Sequence, residues 1–188
     1  LQALPYARGQ VMGMGGMGPN DRQAGSTSES TTLATLHVAG DKATPLPPVT
    51  ARTHQFDLRG KLLAARRELT LAMGMGMGGG MSFTIDGKEF AADRVDQTTR
   101  IGTIEEWTIT NTSPMDHPIH LHIWPMQVIE EDGKPIKQPT WQDVVNVPAR
   151  SNLKVRILFD DFTGRSVYHC HILDHEDQGM MGVIDVRR

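Results

Sequence analysis

Apolar and polar positions change places at strand length through most of this chain. From about Thr50 onward, short apolar or alternating runs cover His54 to Leu58, Arg67 to Ala72, Met81 to Ile85, Thr103 to Asn111, Ile119 to Ile129, Val144 to Val147, Asn152 to Leu158, Ser166 to His171 and Val183 to Val186. Turn-forming pairs, Asp86-Gly87, Asp132-Gly133 and Thr163-Gly164, separate several of them. Many short strands with such punctuation predict an all-β sandwich. Trp107, Trp124 and Trp141 each sit in or beside a run and are expected to pack it. Two segments stand apart: Ile172 to Asp177 is expected to be a short helical turn, and the basic segment from Lys61 to Leu71 to be helical in part.

The first 48 residues read differently. Met12-Gly13-Met14-Gly15-Gly16-Met17-Gly18 and the Ser/Thr-rich stretch from Ser26 to Thr32 both favour flexible, unpacked chain. Leu33 to Val38 alternates and could be a strand finishing an earlier domain, after which Pro45, Pro47 and Pro48 punctuate the boundary. The expected organisation is a domain end plus linker over residues 1–48 and one sandwich domain over residues 49–188.

Composition narrows the class. The formal net charge is −3 and the basic residues are scattered, which argues against a nucleic-acid partner. No run approaches the ~18 apolar residues of a membrane span. The single cysteine, Cys170, rules out an internal disulfide.

That cysteine carries the candidate chemistry. It stands between His169 and His171, with His175 and Met180 following. On a strand successive side chains face opposite ways, so Cys170 points to one face and His169 and His171 to the other. A thiolate, two imidazoles and a long thioether bond make the environment of a blue-copper centre. Cys170, His175 and Met180 supply three of these groups, and the candidate for the missing imidazole is His117, first in His117-Pro118-Ile119-His120-Leu121-His122. In that run His120 and His122 share a face of an extended strand and can grip one metal cluster. A lone cysteine is usually a small buried apolar residue, but that reading leaves its two flanking histidines unexplained. A zinc site could use His120 and His122, yet it gives no reason for Cys170 between histidines with a methionine ten residues on. His37 and His54 have no ligand spacing and are expected as surface or hydrogen-bonded histidines.

The stretches HPIHLHIWPMQV and HCHILDHEDQGMMGVIDV resemble the carboxy-terminal copper motifs of the multicopper oxidases, laccase-like enzymes that reduce dioxygen to water. The wording EDQGMM and the methionine-glycine tracts are most similar to bacterial cuprous oxidases of the copper-tolerance type. The resemblance covers the second half of the chain well and the first half loosely, where Leu-Pro-Tyr-Ala-Arg-Gly resembles the last strand of a preceding domain. It implies a cupredoxin-type Greek-key sandwich. It also implies type 1 copper ligands His117, Cys170, His175 and Met180, a type 2 ligand His120, and type 3 ligands His122, His169 and His171. Glu176 matches a position that the relatives use for proton delivery, and Met115 a position at which they hold a substrate copper. A periplasmic or secreted location and a role in copper homeostasis are implied in the same way.

In this family a trinuclear cluster takes eight histidines, four of them from an amino-terminal domain. Eight is the whole histidine content of this chain; two are assigned to the type 1 site and two stand alone. The chain is therefore expected to be a carboxy-terminal part that shares the cluster with an amino-terminal partner supplying four histidines. The expected reaction is oxidation of cuprous ion or phenols coupled to reduction of dioxygen. The alternative is a stand-alone blue-copper electron-transfer or copper-binding module. Copper nitrite reductase shares the sandwich and the type 1 ligands, but its catalytic copper is mononuclear, whereas the doubled histidines around Cys170 favour a binuclear pair. Seven of the 11 methionines lie in two glycine tracts, Met12 to Met17 and Met73 to Met81. Their soft thioethers suit cuprous-ion capture, and their bland reading is a flexible loop.

Overall fold

The computed structural model describes residues 1–6, 30–48, 56–76 and 79–188, in two compact units, Leu1–Phe56 and Asp57–Arg188. In the first unit β1 (Gln2–Ala3) and β2 (Thr31–Thr32) pair antiparallel. The Leu33 N–H donates to the Leu1 carbonyl at 3.0 Å, and the Leu1 ammonium donates to the Ala34 carbonyl at 2.8 Å. Leu33 to Val38 does not form the strand its alternation predicts. Leu33, Leu36 and Val38 are exposed, so nothing buries the apolar positions that would hold a strand there. The Met12 to Met17 tract, most of the Ser26 to Thr32 stretch and His54 lie outside the described residues, while His37 is exposed.

The second unit is a two-sheet sandwich. Strands β3 (Ala65–Met75), β4 (Met81–Ile85), β6 (Thr103–Asn111), β8 (Met126–Glu131), β9 (Lys134–Gln142) and β11 (Asn152–Phe159) form one sheet in the order β4-β3-β6-β11-β8-β9. Strands β5 (Gln97–Arg100), β7 (His117–Leu121), β10 (Val144–Val147), β12 (Gly164–Cys170) and β13 (Met181–Arg187) form the other, in the order β10-β7-β12-β13-β5. Neighbours are antiparallel except β3 with β6 and β13 with β5. One helix, α1 (Leu173–Asp177), occupies the expected helical turn. Among the described residues no helix is long and apolar enough to cross a membrane.

Period-two patterning explains the layers. In β11, Leu153, Val155, Ile157 and Phe159 are buried and alternate with the more exposed Asn152, Lys154, Arg156 and Leu158. The inward residues of both sheets, among them Trp107, Ile109, Ile119, Leu121, Tyr168 and Ile184, form one apolar cluster. Each such side chain contributes roughly 1.5–3 kcal/mol when fully buried. A half-buried ion pair ties the sheets together: Arg67 on β3 donates to both oxygens of the buried Glu105 carboxylate at 2.6 and 2.8 Å and reaches Gln97 on β5 at 2.9 Å. Burial would raise the Glu105 carboxyl, but hydrogen bonds from Arg67, Thr99 and Trp107 outweigh it and hold that group below the usual carboxylate range.

The structure corrects four expectations. The segment Lys61 to Leu71 is not helical: from Ala65 on it is β3, with Leu69 and Leu71 buried and Arg66, Glu68 and Thr70 exposed, a period of two. Ile119 to Ile129 is not one strand but parts of β7 and β8, in different sheets. The break falls where Ile123 takes φ 76° and Pro125 has no N–H to donate. Phe56 to Leu58 is not strand. Trp141 is half-buried on the edge strand β9, unlike the buried Trp107 and Trp124. The Asp-Gly pairs behave as predicted: Asp86 and Gly87, and Asp132 and Gly133, all take positive φ in two-residue turns.

Gly182 on β13 faces Tyr168 on β12, and a Cβ there would lie 2.4 Å from the ring's Cζ and Oη. Tyr168 is buried edge-on against Trp107, which blocks its ring from retreating in that direction. Gly182→Ala is expected to lower stability by about 1–3 kcal/mol in denaturant titration, and an unchanged midpoint would show that the ring is free to move.

Candidate metal centre

The site grows from one strand pair. β7 and β12 are antiparallel, with Cys170 opposite Ile119, His169 opposite His120 and Tyr168 opposite Leu121. Alternation then sorts the side chains. His117, Ile119, Leu121, Tyr168 and Cys170 point into the sandwich and are buried, while His120 and His169 sit on the other face. The chain turns through α1, whose His175 is buried, and returns through a loop in which the Cys170 N–H donates to the Met180 carbonyl at 3.0 Å. The Met180 N–H donates to the His175 carbonyl at 2.9 Å, and Met180 itself is fully buried in the core cluster.

Three donor atoms converge inside. Cys170 Sγ lies 3.6 Å from His117 Nδ1 and 3.7 Å from His175 Nδ1, and the two Nδ1 atoms are 3.1 Å apart. A triangle with these sides has a centre about 2 Å from each corner, the length of an imidazole–metal bond. The remote nitrogen of His117, Nε2, is 2.7 Å from the Ser113 hydroxyl. The His175 ring stacks on Phe83 of β4 with centroids 4.3 Å apart and planes 22° from parallel.

Burial sets the protonation of this group. It lowers the His117 imidazole to about 4, with the neighbouring His175 adding to the shift and Asp116 opposing it. Burial also lowers His175, against Asp174. The Cys170 thiol is raised to about 11 by burial, the backbone at Ile172 working against it and Glu176 with it. At neutral pH the imidazoles therefore present lone pairs, and the thiol awaits a cation that will replace its proton. A thiolate, two imidazoles and a buried thioether nearby suit copper, so the residues present fit that metal.

A second cluster lies on the other face. One ligand atom from each of His120, His122 and His169 falls within 4.8 Å of the others. His122 Nε2 and His169 Nε2 are 3.0 Å apart, and the His171 ring centroid lies 5.2 Å from that of His120 and 5.4 Å from that of His169. Two of these rings are oriented by their remote nitrogens. His120 Nδ1 is 2.8 Å from the Asp143 carbonyl, and His169 Nδ1 is 3.0 Å from the Cys170 carbonyl and 3.1 Å from Glu176 Oε2. In each case a proton on Nδ1 leaves Nε2 free to bind a metal. His122 is lowered by burial and by the neighbouring His120 and His169. His122 and His171 are exposed, so this cluster opens outward.

All eight expected copper ligands thus lie in or beside two clusters built on β7, β12 and the loop through α1. Met115, two residues before His117, is half-buried, and its carbonyl accepts hydrogen bonds from Asn111 and Ser113. Sequence reasoning missed Asn111, Ser113 and Phe83. A polar pair at and just past the end of a strand, four to six residues before a candidate ligand histidine, was the available signal for the first two.

Comparison with known proteins places this geometry in a family. The model of the family described as Multicopper oxidase matches residues 64–188. The multicopper oxidase mco of Staphylococcus aureus is 38% identical over 111 residues, covering 56% of this chain and 25% of that protein. The laccase of Bacillus subtilis is 33% identical over 114 residues, covering 50% of this chain and 22% of that protein. Among solved structures, a multicopper oxidase from Campylobacter jejuni, described as a metallo-oxidase, superposes with a TM-score of 0.63 at 31% identity, covering 71% of this chain and 32% of that one. The chain belongs to the multicopper oxidase family, its second unit is a cupredoxin-like domain, and membership implies copper as the metal. It spans about a quarter of the length of the curated relatives it matches, which are larger, multi-domain proteins.

Burial gives the chelator-treated chain a defined pH profile. An unfolded histidine takes a proton near 6.5, but buried His117 refuses one down to about 4. Below 6.5 the unfolded state therefore binds more protons, and stability falls as pH drops towards 4, with His175 and His122 adding in the same direction. An unfolded thiol ionises near 9 while Cys170 stays protonated to about 11, so stability also falls as pH rises above 9. Each flank is expected to cost roughly 3 kcal/mol. Denaturant titration from pH 4 to 11 should show a maximum between these limits, and a flat acid side would show that His117 protonates in the folded chain.

Proposed function

We propose that this chain is the carboxy-terminal part of a multicopper oxidase that couples one-electron oxidation of a substrate to the reduction of dioxygen to water. The observation that carries the reading is the pair of donor clusters on opposite faces of one strand pair, joined covalently through His169-Cys170-His171. His117, Cys170 and His175, together with Met180, would hold a type 1 copper. His120 would hold a type 2 copper, and His122, His169 and His171 the type 3 pair. Copper supplies one-electron redox chemistry and binds oxygen species when present. This chain's own residues do the rest. The rigid strands fix the inner trigonal set, burial excludes water from it, and the outer set opens towards amino-terminal domains that would contribute four further histidines.

Cuprous ion is the favoured substrate, with phenols next. Met75 and Met81 are cross-strand partners at the turn end of the β3–β4 hairpin, both exposed. They line an open groove of about 700 Å³ with Ser82 and Glu89. Two residues along β4 from Met81, Phe83 stacks on His175, so the soft thioethers lie on the same hairpin as the ring that touches a candidate ligand. Met115 is a further candidate contact for this ion. A role in copper homeostasis and a periplasmic or secreted location, which cell fractionation reads directly, belong to the same proposal.

The test is copper per chain by metal analysis with visible and EPR spectroscopy, together with oxygen uptake on cuprous ion, with and without the amino-terminal domains. One blue copper on the chain alone, with uptake and a coupled binuclear signal appearing when those domains are added, is the expected result. One blue copper and no uptake in either case would establish the rival, a stand-alone electron-transfer or copper-binding module.

Glu176 is proposed to deliver protons for oxygen reduction, on the strength of its contact with His169. In the assembled enzyme Glu176→Gln is expected to lower turnover about 100-fold while the blue absorption is retained. Unchanged turnover across pH would remove Glu176 from the mechanism.

A further inference from the structure

We propose that Ser113, itself oriented by Asn111, sets the tautomer of His117, so that Nδ1 presents a bare lone pair to Cys170 before any metal arrives. The inference deepens the copper reading above and rests on it only for the identity of the metal.

The argument starts at Asn111, the last residue of β6 and almost fully buried. Its side-chain Nδ2 donates towards three carbonyls, those of Met115 at 2.7 Å, Val147 at 3.1 Å and Pro148 at 3.0 Å. An amide oxygen in that place would face three acceptors with no proton between them, so the amide has one orientation, with Oδ1 turned towards Ser113. There Oδ1 accepts from the Ser113 N–H at 2.9 Å and lies 2.7 Å from Ser113 Oγ.

Ser113 Oγ owns one proton and accepts a long hydrogen bond from the Met115 N–H at 3.4 Å; its other polar neighbours are Asn111 Oδ1, the Met115 carbonyl at 2.9 Å and His117 Nε2 at 2.7 Å. The first two can only accept. If the hydroxyl gave its proton to Nε2, both oxygens, each already accepting one hydrogen bond, would face the hydroxyl's lone pairs at 2.7 and 2.9 Å with no proton between the atoms, a repulsive contact in a buried site. A proton given to either oxygen leaves a lone pair facing Nε2, which must then carry the ring proton. A neutral imidazole has one N–H, so Nδ1 is left bare and aimed at Cys170 Sγ and His175 Nδ1. The ring thus already has the tautomer that metal binding requires, and no proton has to move within His117 when a metal binds. The device spans the sandwich, since Asn111 belongs to the six-stranded sheet and His117 to the five-stranded one. On this basis Ser113 is a positioning residue.

The test is the tautomer of His117 in the metal-free 188-residue chain, read from nitrogen–proton correlation spectra of the imidazole rings, with copper affinity measured by chelator competition. The unsubstituted chain is expected to show His117 as the Nε2–H form alone. Ser113→Ala should give a mixture of both tautomers and bind copper about 10-fold more weakly, while Ser113→Thr, which keeps the hydroxyl, should restore the single form. His117 found as the Nδ1–H form in the unsubstituted chain would overturn the proposal, and so would a Ser113→Ala chain with unchanged tautomer and affinity. If Ser113→Ala does not fold, the tautomer of the unsubstituted chain still decides. A chain that bound no copper yet kept the Nε2–H form would sink the copper reading and leave this one standing.

Discussion

The register between β7 and β12 is the constraint on which the rest of the site depends. Cys170 lies opposite Ile119 and His169 opposite His120, so the pair presents a thiol and apolar side chains inward and imidazoles outward. A slip of one residue would move every one of these side chains to the other face. The apolar partners Ile119, Leu121 and Tyr168 therefore do more than fill the core. Exposing them would cost roughly 1.5–3 kcal/mol each, and that cost keeps Cys170 inside and His169 outside. Two clusters of candidate donor side chains on one pair of strands are a consequence of alternation enforced by burial.

Burial also prepares the inner cluster chemically. Withdrawn from water, His117 and His175 stay neutral and Cys170 keeps its proton, so the pocket carries no uncompensated charge before a cation enters. Neutral imidazoles still need the right nitrogen facing inward. Remote contacts supply this at three rings: Ser113 at His117, the Asp143 carbonyl at His120, and the Cys170 carbonyl with Glu176 at His169. His117 is gripped at Nε2 and the two outer rings at Nδ1, so the inner cluster presents Nδ1 and these outer rings present Nε2. The grip differs because the inner ring turns Nε2 to the Ser113 hydroxyl, while the outer rings turn Nδ1 to backbone carbonyls, Cys170 beside His169 and Asp143 across from His120.

The frame around the site is tied at points away from it. Arg67 and Glu105 join β3 and β6 to β5 across the two sheets, with Trp107 donating to the same carboxylate at 2.9 Å. Such a pair need not add much net stability, but losing Arg67 strands the buried Glu105 charge, so it penalises any other arrangement of the sheets. Phe83 links the β3–β4 hairpin to His175. The methionine-bearing hairpin is thereby fixed relative to the inner cluster.

The sequence by itself determined the ligand types and their division between two faces, because alternation along a strand is local and His169-Cys170-His171 states it in three residues. It also determined the Asp-Gly turns at Asp86 and Asp132, whose backbone conformation few other residues tolerate, and the helical turn before Met180. The edge strands β5 and β9 were not legible, since polar sequences such as Gln97–Arg100 become strand only by pairing with a neighbour supplied from elsewhere in the chain. β3 was legible only in part: the run from Arg67 to Ala72 lies within it, while the overlapping basic segment suggested helix until pairing with β4 and β6 made it strand. Only the tertiary structure decided which nitrogen of each imidazole faces its cluster. That choice belongs to Ser113, held by Asn111, which is itself anchored on the Val147 and Pro148 carbonyls, and to the Asp143 carbonyl, brought beside His120 by the pairing of β7 with β10; spacing along the chain does not specify either contact.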